Sequence, residues 1–242
     1  MTNQTLDASP RLKARIAGGL YVGTIVMGVF GLSMRTGLIV KGDAPATAAS
    51  ILASEPLYRA GIAADLVGAA CYIGVTAMLY ILLRPVNRTV SLIAAGFGLA
   101  GCAIGAAITL NLIAPLVFLS GAPFLSVFTP DQLKALAYAS LRLHGQGYNI
   151  GMINFGVYCS LLGYLVFRSG FLPRAVGVLL VGSGLAWLTD SFATILAPPI
   201  AEALSAYTMP LGFLGEASLT VWLVAIGLDV PKWRSRAALA AA

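Results

Sequence analysis

Charge is what this sequence has least of. Its 242 residues carry nine acids, fifteen bases and one histidine, so 10% are charged, against roughly 25% in an ordinary soluble domain. With a mean hydropathy of +0.89, so few ions cannot cover the surface of a 25.0 kDa globule in water. A soluble fold is excluded, and the natural solvent for the surface is lipid. The single histidine, His144, is too few for a membrane metal hydrolase, which needs several imidazole ligands. Cys71, Cys102 and Cys159 fall inside apolar stretches without CxxC spacing, so neither a disulfide framework nor a zinc site is expected. No G-x-S-x-G elbow is present, and Gly96, Gly98, Gly101 and Gly105 are spaced for close helix contact rather than for phosphates. The net charge of +6 does not imply nucleic acid, because the bases come in twos and threes between long apolar runs. No cofactor, metal or nucleic-acid partner is expected.

What is present is apolar length. A helix needs about 20 apolar residues to cross the hydrocarbon core. Six stretches meet that requirement, near Ala14 to Met34, Ala60 to Leu83, Val90 to Leu119, Tyr148 to Phe167, Ala175 to Ala197 and Leu211 to Leu228. The fold class expected is all-α, a polytopic bundle of six spanning helices: a tail over 1–13, a transmembrane domain over 14–230 and a basic tail over 231–242. The first run follows Arg11, Lys13 and Arg15 as a signal peptide would, but its length and the lack of an A-x-A site favour a retained span. Ten bases (Arg11, Lys13, Arg15, Arg84, Arg88, Arg168, Arg174, Lys232, Arg234, Arg236) fall on one side of these spans and five (Arg35, Lys41, Arg59, Lys134, Arg142) on the other. The positive-inside rule then places both termini in the cytoplasm. Asp43-Ala-Pro-Ala-Thr47 and Thr129-Pro-Asp131 read as starts of two short amphipathic helices on the outer side, serving as connectors or as a lid.

The chain also matches itself. At an offset of 84, Leu52 meets Leu136, Gly61 meets Gly145, Tyr80 meets Tyr164 and Arg84 meets Arg168; at 86, Arg88 meets Arg174 and Gly98-Leu-Ala100 meets Gly184-Leu-Ala186. A weaker third copy aligns Gly212 and Glu216 with Gly61 and Asp65. A parallel internal repeat about an axis along the membrane normal is the expectation.

Three acids, Asp65, Asp190 and Glu216, lie within spans, where an ionised carboxylate costs at least a few kcal/mol and must face a partner, the bundle interior or water. Asp65 is six residues below Arg59, about 9 Å, and Asp190 is sixteen above Arg174, about 24 Å. With Glu216 six below Pro210, all three fall at a similar level in the outer half. His144 begins the fourth span near Arg142, Tyr148 and Asn149, and the repeat makes Asp65, Asn149 and Glu216 equivalent. Asp65, Asp190, Glu216, His144 and Asn149, with Arg35, Arg59 or Arg142 balancing their charge, are therefore expected to line one polar pocket. The competing reading is local ion pairs that only fix helix packing. No residue is assigned a catalytic role. The preferred function is binding or transport of a small or amphiphilic molecule at that pocket. The alternatives are a membrane enzyme acting on a lipid, with His144 and Asp190 as acid and base, and a structural or partner-stabilising protein. The expected partners are the bilayer and a small-molecule or lipid ligand; oligomeric state is not legible.

Several motifs recur together: Arg15-Ile-Ala-Gly-Gly-Leu-Tyr21, Arg35-Thr-Gly-Leu-Ile-Val-Lys-Gly-Asp-Ala44, Leu82-Leu-Arg-Pro-Val-Asn-Arg88, His144 with Gly147-Tyr-Asn-Ile-Gly151, Gly163-Tyr-Leu-Val-Phe-Arg-Ser-Gly170, Leu172-Pro-Arg174 and Asp190-Ser-Phe192. In this combination, spanning nearly the whole chain, the sequence resembles a bacterial membrane family catalogued as domain of unknown function 4386. The resemblance implies a multi-pass protein of a bacterial inner membrane and carries no activity with it.

Overall fold

The computed structural model describes residues 9–240, and among them no strand occurs. The helices are α1 (Pro10–Leu38), α2 (Ala44–Ala53), α3 (Glu55–Leu83), α4 (Arg88–Ile108), α5 (Leu110–Phe118), a 3-10 turn (Pro123–Leu125), α6 (Pro130–Ser169), α7 (Arg174–Leu196), α8 (Pro198–Ala225) and α9 (Val230–Leu239). Six segments are long and apolar enough to span a bilayer: α1, α3, α4 with α5, α6, α7 and α8. The expected all-α polytopic architecture is what the chain adopts, and the protein is a multi-pass membrane protein. Large apolar side chains such as Leu92, Val178 and Val221 point outward at 59%, 58% and 66% exposure, as a lipid-facing surface requires.

Local chemistry sets the helix boundaries. Asp43 caps α2 by accepting the Ala46 N–H at 2.8 Å, and Pro45 fits the first turn, where no N–H is needed. Only Ser54 separates α2 from α3. Thr129 and Gln132 form a capping box at the start of α6, each side chain accepting the other's backbone N–H, at 3.3 and 2.8 Å.

Two boundaries differ from the sequence expectation. The amphipathic segment after Thr129 is not a separate helix: it runs unbroken into the fourth span as the 40-residue α6, because no proline interrupts the chain between Pro130 and Pro173. The third span, expected to be continuous, breaks at Thr109. There the Leu112 N–H turns to the Thr109 carbonyl at 2.9 Å, and Pro115 inside α5 denies Asn111 its usual partner four residues on. The segment after 231, expected as a basic tail, is helical to Leu239.

The chain divides into two compact units. The smaller holds Gly23–Ala70 and Cys102–Gly151, and the larger holds the described residues up to Val22, Cys71–Gly101 and those from Met152 on. In the smaller unit Leu38, Ile51, Tyr58, Ile62, Leu112 and Leu141 form a buried apolar cluster drawn from α1, α2, α3, α5 and α6. In the larger unit glycines let helices touch backbone to backbone. A Cβ on Gly163 of α6 would stand 2.6 Å from the Gly177 carbonyl of α7, and one on Gly215 of α8 would stand 2.5 Å from the Leu179 carbonyl. Such small-residue contacts replace the hydrophobic drive that lipid cannot supply between helices.

Candidate functional site

In the smaller unit Arg35 of α1 and Asp65 of α3 form an ion pair through Nη1 and Oδ2, with both side chains largely buried. Gly31 makes the pair reachable. It lies one turn before Arg35 on the same face of α1, and the Asp65 carboxylate occupies the space a Cβ there would take. Gly61, one turn before Asp65, meets Met34 in the same way, its Cβ position 3.2 Å from the methionine Cβ. The backbones of α1 and α3 thus approach closely where the charges meet.

His144 of α6 joins this group through the helix break. The carbonyl of Ile108, released when the Leu112 N–H turned to Thr109, is 3.1 Å from His144 Nδ1. A carbonyl only accepts, so Nδ1 carries the proton and Nε2 of the neutral ring keeps its lone pair. The ring lies within electrostatic range of both Asp65 and Arg35. Tyr58 fastens the same distorted segment, donating its hydroxyl to the Leu112 carbonyl at 2.7 Å. A guanidinium, a carboxylate and an imidazole whose Nε2 has no hydrogen bond among the described residues are thereby held on three membrane-spanning helices, α1, α3 and α6. Together they can bind an anion or exchange a proton.

The other sequence-selected residues of this unit behave differently. Arg59 pairs with Glu55 on its own helix at 2.7 Å and is exposed, so Arg35 is the base that answers Asp65. Arg142 is exposed, and the Asn149 amide donates to the Gly145 carbonyl of its own helix at 3.2 Å.

Asp190 and Glu216 belong to the larger unit. Glu216 of α8 accepts the indole N–H of Trp187 at 3.0 Å and the hydroxyl of Tyr21 at 3.3 Å, and among the described residues no base pairs with it. Trp187 lies against the bare backbone of Gly212, one turn before Glu216, where any Cβ would collide with the indole. Around these groups stands an aromatic cluster. Tyr21 and Tyr72 meet edge-on with centroids 5.5 Å apart, Tyr72 meets Phe155 at 5.4 Å and Tyr158 at 6.0 Å, and Phe155 meets Trp187 at 6.5 Å. Asp190 is buried on α7 and accepts the Thr208 hydroxyl of α8 at 2.6 Å. Sequence reasoning did not find the aromatic cluster or the Trp187 donor. Their residues come from α1, α3, α6 and α7, and no spacing in the chain connects them.

The model of one protein family matches residues 16–227, under the description Domain of unknown function (DUF4386). The chain belongs to that family. A relative from Archaeoglobus fulgidus, described as an uncharacterized protein, is 26% identical to this DUF4386 chain over 159 residues, covering 63% of the chain and 75% of the relative. No solved structure matches. The motifs around Arg35, Asp65, His144, Asp190 and Glu216 all lie inside the matched span.

Proposed function

We propose that this protein binds or transports a small or amphiphilic molecule in the outer half of the bilayer, with Arg35, Asp65 and His144 as the recognition groups. The observation that carries the reading is the Arg35–Asp65 pair inside two membrane spans, with His144, held at the Ile108 carbonyl, near enough to interact with both charges. A pair needed only to hold helices together has no use for an adjacent imidazole whose tautomer is fixed by a broken helix. Arg35 suits an anionic or carbonyl group on the ligand, and Asp65 and His144 suit a proton that accompanies it. Glu216 serves as a separate proton- or cation-responsive group. Asp190 fits packing better than acid-base chemistry, since the Thr208 hydroxyl occupies its Oδ1.

The setting we infer is a cytoplasmic membrane with both termini inside, on the ten-to-five distribution of bases. Reporter fusions after Arg88 and after Ala122 should then report opposite sides, and the same side for both would refute it. The functional reading is tested by Asp65→Asn and His144→Gln in protein purified with native lipids. Both variants should insert and fold yet lose the bound small molecule that mass spectrometry finds with the parent. Retention of that molecule by both variants would refute the site.

A further inference from the structure

The larger unit holds a cavity of about 640 Å³ that takes no part in the proposed site. It opens where helix ends gather: Arg11 comes from the start of α1, Phe171 and Pro173 from the turn between α6 and α7, Trp222 from the last turns of α8, and Asp229 and Lys232 from the entry to α9. The corner is fixed by the Asp229 N–H, which donates to the Phe171 carbonyl at 3.2 Å, and by Trp233 of α9, which donates its indole N–H to the Leu82 carbonyl of α3 at 2.9 Å. Gly170 and Gly227, with φ of 74° and 82°, make the two turns that open beside it.

Three features of this cavity point to one ligand chemistry. The first is charge: all ten bases of the more basic side of the sequence lie in this unit, and of them Arg11 and Lys232 line the cavity, where Asp229 is the one acid among the lining residues. Asp229 pairs with Lys232 at 3.1 Å, whereas Arg11 has no ion-pair partner among the described residues. The second is a donor without an acceptor among the described residues, since the Trp222 indole N–H is buried and makes no hydrogen bond to any of them. The third is the mixed lining, basic and indole groups beside the apolar surfaces of Phe171 and Pro173, at the end of the membrane spans. A bare anion has no use for that apolar wall, but the glycerol end of a lipid does.

We propose that this cavity binds the phosphate headgroup of an anionic phospholipid, with Arg11 and the Trp222 N–H as its polar contacts and the acyl chains remaining in the bilayer. α9 closes the site from the water side, and its Arg234, exposed, and Arg236, half-buried, lie outside the cavity lining.

The test uses the full chain in neutral detergent, titrated with phosphatidylglycerol, phosphatidylcholine or inorganic phosphate and read by native mass spectrometry and thermal shift. Phosphatidylglycerol should bind saturably and raise Tm, at least about tenfold more tightly than phosphatidylcholine, and millimolar inorganic phosphate should not reproduce the shift. Arg11→Gln should weaken phosphatidylglycerol by about fivefold, the weight of one base at an anionic headgroup, and Arg11→Lys should restore most of it. Trp222→Phe keeps the ring and removes the donor, so it should weaken binding with little change in Tm of the lipid-free protein. The joint change Arg234→Gln and Arg236→Gln should cost less than about twofold, outside the cavity as these bases are. Equal binding of the two lipids, or Arg11→Gln binding as the parent does, would overturn the proposal. So would a loss from the α9 pair as large as that from Arg11, which would mean diffuse surface attraction, or a phosphate response that depends on Arg11 as strongly as the lipid response, which would mean a soluble anion.

Discussion

Asp65 stands against a guanidinium, whereas Glu216 stands among aromatic rings with two neutral donors and no base among the described residues. Both acids sit one turn after a glycine, and in both cases a glycine gives a neighbour room: Gly31 admits the Asp65 carboxylate, and Gly212 admits the Trp187 indole. The partner makes the difference. A carboxylate facing a fixed cation in a low-dielectric setting is bound to its charge, since removing either ion strands the other. A carboxylate facing only N–H and O–H dipoles strands nothing when it takes up a proton, so it is the freer of the two to change state.

Substitutions can break or sharpen that contrast. Asp65→Asn should give the largest loss, on the order of 3 kcal/mol in a reversible unfolding assay in bicelles, because it leaves Arg35 buried and unpaired. A loss near zero would mean that water already screens the pair. Trp187→Phe removes one of two donors to Glu216 and should cost about 1–2 kcal/mol. Glu216→Gln should cost less than about 1 kcal/mol, since the amide still accepts one hydrogen bond and no cation is stranded. Should its cost equal that of Asp65→Asn, the contrast would disappear. The smallest effect concerns an acid outside the spans. The backbone N–H and ammonium of Lys232 hold the Asp229 carboxyl below the usual carboxylate range. Its capping of α9 is therefore complete above that range and is lost only as the pH falls through the lowered value. Circular dichroism of the parent and Asp229→Asn should differ slightly at neutral pH and converge in acid; divergence in acid would contradict the sign.

The six spans were legible because apolar length and flanking bases are local properties of the chain. So was the candidacy of Asp65, Glu216 and His144, since a polar group inside a span is conspicuous wherever it lies. Arg35 was one of three bases named for Asp65, and only tertiary packing chose it over Arg59, which a neighbouring turn supplied with Glu55. Fusion of the second amphipathic segment into α6 escaped because apolar length marks only the run from Tyr148 to Phe167, while the more polar turns before it carry the same helix back to Pro130. The break at Thr109 had a signal in Pro115, six residues further on, whose missing N–H weakens the preceding turn. Long-range pairs such as Tyr21 with Glu216 leave no trace in periodicity.

The most direct test is a double-mutant cycle on Arg35→Gln and Asp65→Asn, with unfolding measured for the parent, both single variants and the double variant in one lipid mixture. A fixed charge pair at the core of the site predicts a coupling of at least about 1 kcal/mol, the double variant being more stable than Asp65→Asn alone. Additive losses, with no coupling, would contradict the pair and the recognition site built on it.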